Sequence, residues 1–162
     1  MKYKMDVSGM ENISKMLAEL EKEAESAAAE GLYEGAGIMA DGIKQSARNL
    51  KTEKFHYATN DMREPSPEER EIVEKGIGIA KFDKNGAEVE TSVGYGNAGY
   101  AMLKGKPVPI AKIANSINSG TSFMRKQPYV RMAKNKASKK ATDAIAKKIQ
   151  DRLDKIIEEN EK

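Results

Sequence analysis

The chain has 162 residues, 39% of them hydrophobic and 33% charged, a balance that builds one core under a charged exterior rather than a disordered segment. It contains no cysteine, which excludes disulfides, thiolate metal sites and a cysteine nucleophile, and no apolar run reaches signal-peptide length or the ~20 residues of a membrane span. The formal net charge of +3 hides an asymmetry: residues 1–80 carry 11 basic and 16 acidic side chains, whereas residues 81–162 carry 17 and 9.

Tyr3, Met5 and Val7 alternate with Lys2, Lys4 and Asp6, the period of a half-buried strand, and Ser8-Gly9 reads as the break after it. From Met10 to Leu50 a helical stripe runs through Ile13, Met16, Leu17, Leu20, Ala24, Ala27, Ala28, Gly31, Gly35, Ile38, Met39 and Gly42. Each interior glycine weakens a helix by ~1 kcal/mol, so the glycines here predict a closely packed neighbouring backbone or a kink. The stretch 51–66 lacks periodicity and is expected to be a long mobile loop. Ser66-Pro67-Glu68-Glu69 places a capping serine, a proline at the first helical position and a glutamate at the third, predicting a short helix to Lys75.

Ile77, Ile79 and Phe82 precede Asp83-Lys84-Asn85-Gly86, and Ala87, Val89, Thr91 and Val93 alternate with Glu88, Glu90 and Ser92, predicting a hairpin about an Asn-Gly turn. Pro109 opens a short helix through Ile110, Ile113, Ala114 and Ile117, stopped by Asn118-Ser119-Gly120. Pro128 starts a last helix with the stripe Met132, Ala133, Ala137, Ala141, Ala144, Ile145, Ile149, Leu153, Ile156 and Ile157. The chain is therefore read as one α+β domain over residues 1–162. An antiparallel sheet, made of the amino-terminal strand and the central hairpin, packs with a long N-terminal and a long C-terminal helix.

Side-chain chemistry is sparse. Gly94-Tyr95-Gly96-Asn97-Ala98-Gly99 fits G-x-G-x-x-G, but Gly105, Pro107 and Pro109 follow where a phosphate-binding helix is required, so a flexible glycine loop is the expectation. His56, the only histidine, has no cysteine or paired carboxylates at ligand spacing. Glu88 and Glu90 share a strand face that solvation already explains. No catalytic residue, cofactor or metal is expected. Between Lys104 and Lys148, twelve Lys or Arg stand against one acid, Asp143, which predicts a positive surface for an acidic protein or nucleic acid.

Gly120-Thr121, the basic pair Arg125-Lys126, and Pro128-Tyr129-Val130-Arg131-Met132-Ala133 enter the last helix in that order. In this order the chain resembles the small tail-completion, or head–tail joining, proteins of long-tailed bacteriophages and prophages. Gly120, Thr121, Pro128, Tyr129, Arg131 and Ala133 match that family's Gly-Thr and Pro-aromatic-x-Arg-x-Ala pattern. It departs from the pattern at Asn118-Ser119, where a glutamate and an aromatic are common, at Met132, where proline is frequent, and in the inserted 51–66 segment. The resemblance implies a non-enzymatic virion protein made in the host bacterial cytoplasm. Its copies would close a ring, often of six, between neck or connector and tail-tube proteins, with DNA passing through and no membrane contact. Arg125 and Lys126 are expected to touch an acidic neighbour. The alternative is a small nucleic-acid-binding protein acting through residues 104–148.

Overall fold

The computed structural model describes residues 8–54, 62–85, 88–96 and 98–160. The expected strand at Tyr3–Val7 lies outside them. Helix α1 spans Ser8–Arg48, so Ser8-Gly9 is the first turn of the helix and not a break. Ser8 followed by Glu11 is itself the sequence pattern of a capping box. At 1.5 Å per residue this helix is ~60 Å long, and α4, Tyr129–Asn160, is ~48 Å.

The two run antiparallel along a seam of small residues. A Cβ added at Gly31 would lie 3.1 Å from the Ile145 carbonyl oxygen and 3.0 Å from Ile149 Cγ1, and one at Gly42 would lie 3.1 Å from Ala137 Cβ. Ala27, Ala36, Ala40, Ala133, Ala137 and Ala141 are buried beside them. Gly31, Gly35 and Gly42 thus mark close helix–helix approach, the first of the two expected outcomes, whereas Gly37 meets no neighbour.

The remaining elements gather around the C-terminal half of α1. Helix α2, Pro67–Lys75, has its capping box as anticipated: Glu69 N–H donates to Ser66 Oγ at 3.1 Å, and Ser66 N–H donates to Glu69 Oε2 at 2.7 Å. The predicted hairpin forms in two short ladders. Strand β1 (Gly78–Ile79) pairs antiparallel with β4 (Val93–Gly94), and β2 (Asp83–Asn85) with β3 (Glu88–Glu90). Between the ladders, Ala80 N–H donates to the Ser92 carbonyl and Thr91 Oγ1 donates to the Ala80 carbonyl. Three residues face two there, the mark of a bulge. Phe82 leaves the hairpin at this point and its ring lies 5.9 Å from that of Tyr33 on α1.

A second hairpin was not anticipated. Strand β5 (Tyr100–Leu103) pairs with β6 (Lys106–Pro109) about Lys104-Gly105, both with positive φ, the backbone of a tight two-residue turn. Pro107 and Pro109 argue against a central strand, but an edge strand tolerates them. Helix α3, Ile110–Ser119, follows directly and buries Ile113, Ala114 and Ile117. These join Ile43 and Ala47 of α1, Leu50 just beyond its end, Val73, Ile77, Met124, Tyr129 and Ala133 in one cluster. Full burial of each large apolar side chain contributes ~1.5–3 kcal/mol.

The segment 51–66 is not a free loop at its described ends. Glu53 N–H donates to the Pro65 carbonyl at 3.1 Å, Glu64 N–H to Glu53 Oε1 at 2.7 Å, and Pro65 is fully buried. Polar composition suggested mobility; side-chain and backbone pairing with distant residues supplies the order. His56 is outside the described residues. Among those described, no helix is long and apolar enough to cross a membrane.

Candidate functional site

The residues from Gly120 to Ala133 converge on one joint, where α3 ends, α4 begins and both ends of the 51–66 segment are pinned. Gly120 caps α3, donating its N–H to the Ser116 carbonyl at 3.0 Å with φ 78° and ψ 167°, a region open almost only to glycine. A Cβ there would also lie 3.0–3.2 Å from Lys126 Cβ, Cα and N. Gly120→Ala is therefore expected to destabilise the chain by about 1–3 kcal/mol, readable as a lower urea midpoint.

Thr121 folds the turn back on itself. Its hydroxyl accepts from Met124 N–H at 3.0 Å while its own N–H donates to the Met124 carbonyl at 3.0 Å. Met124 is buried and forms a parallel bridge to Arg63, whose N–H donates to the Phe123 carbonyl and whose carbonyl accepts from Arg125 N–H, both at 2.9 Å. Gln127 then acts as a clamp. Its amide accepts from Lys51 N–H at 2.9 Å, donates to the Lys51 carbonyl at 2.9 Å, and donates to Glu64 Oε2 at 2.7 Å.

Pro128 precedes the first turn of α4, accepting from Met132 N–H at 3.1 Å. Asn118 accepts from Val130 N–H at 3.3 Å and so satisfies one of the helix's unpaired amides. Tyr129 and Ala133 are core residues at 2% and 1% exposure. The Tyr129 hydroxyl donates to the Tyr95 hydroxyl at 3.0 Å. Burial pushes the Tyr95 phenol up to about 12, against the opposing effect of that hydrogen bond, and raises Tyr129 further. Both stay protonated in the physiological range.

Of the eight residues singled out from the sequence, Arg125, Lys126 and Arg131 face solvent; Thr121 and Pro128 are half-buried, as is Gly120. Arg125 approaches Glu64 at 3.5 Å while remaining 61% exposed, so that ion pair is worth little. Beneath the joint, Arg63 grips Glu69 with two 2.7 Å bonds. Burial acts to raise the Glu69 carboxyl, but the hydrogen bonds from Arg63 and Ser66 outweigh it and hold the group below its ordinary value.

Two adjoining clefts, of about 340 and 280 Å³, share Ser46, Asn49 and Lys136 and run as one groove between α1 and α4 beside the joint. Sequence reasoning flagged the basic residues of its α4 side but missed its α1 wall, which periodicity assigns to an ordinary polar helix face, and Gln127, which lies in the loop before Pro128. The Gly94–Gly99 stretch leads into β5 and not into a helix, which removes it as a dinucleotide loop. Among the described residues no group of three or more His, Asp or Glu side chains converges to hold a metal. No family model, curated protein or solved structure matches the chain.

Proposed function

We propose that the chain is a structural subunit of a bacteriophage or prophage particle, one copy in a ring at the head–tail junction, with no catalysis of its own. The observation that carries this reading is the gathering of all six motif residues on one joint. Gly120 and Thr121 shape the turn, Pro128 starts α4, Tyr129 and Ala133 lock it to the core, and Arg131 faces outward with Arg125 and Lys126. Such a joint holds a basic surface rigidly at the start of a long helix, which suits repeated docking between identical copies. Partners are further copies, the neck or connector ring and tail-tube proteins; DNA passes through the lumen.

A second reading, nucleic-acid binding through residues 104–148, is favoured by one observation: residues 125–141 hold seven cations and no carboxylate. Electrophoretic mobility shift with a short duplex over a salt series separates the two. The ring reading expects binding that fades by physiological salt; a Kd tighter than about 1 μM at about 0.15 M salt favours the second, because ordinary non-specific binding is weaker there.

A further inference from the structure

The groove is predominantly basic. Lys51, Arg125, Lys126, Lys136 and Lys140 line it, and its one lining carboxylate, Glu64, already accepts from Gln127 and faces Arg125. Met132, 52% exposed, lies among these cations, an apolar contact point inside a charged rim. The opposite end of the helical pair has the complementary character. Residues 18–34 carry six glutamates and one lysine, and the α4 stretch alongside, 145–160, carries four cations and four acids, so this end is negative in sum, with Lys148 lining one cleft together with Glu30, Tyr33 and Glu34. Glu30 and Glu34 are exposed on either side of Tyr33, itself 58% exposed. Glu30 and Ser46 are ~24 Å apart along α1, about three screening lengths at physiological salt. The two patches therefore cannot neutralise each other within one chain.

We infer that the basic groove is the docking site for the acidic half of α1 from a second copy, Tyr33 seating against Met132 and Glu30 and Glu34 meeting the groove's lysines. The contact is head to tail: each copy keeps one free groove and one free acidic face, so association propagates until it closes. This inference rests on the ring reading and names the surfaces that close the ring. It is tested on purified protein, so it stands or falls apart from any particle phenotype.

The absence of native cysteine makes disulfide trapping direct. Glu30→Cys and Lys136→Cys chains, mixed at high concentration and low salt under mild oxidation, are expected to give a disulfide-linked dimer several-fold more abundant than either chain gives alone. A single chain carrying both changes is expected to give a ladder of linked species ending in a closed ring. No excess of the mixed dimer overturns the proposal, and a doubly linked dimer without higher species overturns its head-to-tail form. Duplex DNA bound in a Lys136-dependent way, with no cross-link, likewise overturns it in favour of a phosphate-binding groove.

Discussion

Glu69→Ala is expected to destabilise the chain by about 3 kcal/mol, the lower end for breaking a buried ion pair, because Arg63 keeps partial access to water. Glu69 is only 5% exposed and serves two structures at once. It binds the Arg63 guanidinium through both oxygens and closes the capping box of α2 through the Ser66 amide. Its removal strands a half-buried cation next to the Met124 bridge that positions Arg125. Replacing both partners, Arg63→Met with Glu69→Leu, removes the charge imbalance and is expected to be much milder.

The same pair gives stability a pH dependence. The folded-state carboxyl lies below its ordinary value of 4.5, so its contribution is complete above that value and is lost as pH falls through the lower, folded one. Urea denaturation at about pH 7 and about pH 3.5 reads this directly: the gap between the parent and Glu69→Ala is expected to shrink in acid. An unchanged gap contradicts the assignment.

The second large effect lies in the helical seam. A Cβ at Gly35 would meet Ile145 Cγ1 and Cδ1 at 2.5 Å and the Ala141 carbonyl oxygen at 3.3 Å, so Gly35→Leu must push α4 away from α1, destabilising by about 3 kcal/mol through overpacking. At Gly37 nothing lies within 4 Å, and Gly37→Ala is expected to stabilise by up to ~1 kcal/mol through helix propensity alone. In a domain of this size these correspond to a Tm lowered by about 8 °C and one raised by about 2–3 °C. Helix propensity alone would move both upward; the opposite signs isolate packing.

The four helices were legible because their signals are local. Ser66-Pro67 and Glu69 set the start of α2, Gly120 the end of α3, Pro128 the start of α4, and the glycine–alanine seam identifies long helices that must pack closely. The joint was legible as a motif but not as a mechanism. Gln127 reaches Lys51 across 76 positions and Glu64 across 63, and no periodicity encodes such pairings. The Lys104-Gly105 hairpin was hidden by two prolines in its edge strand, and the ordered ends of 51–66 by a polar composition that ordinarily signals a free loop. The groove was half visible: its lysines stand out in the sequence, while its other wall, Ser46 of α1 and Asn49 just past the helix end, becomes a surface only when the helices pair.

The measurement that bears most directly on the ring reading is electron microscopy of lysates in which this coding sequence is inactivated in its source genome. The expected result is filled heads and completed tails lying separate, with joined particles restored when the gene is supplied in trans. Joined particles at the parental frequency, or a parental lysate whose particles lack this chain by mass spectrometry, contradict it.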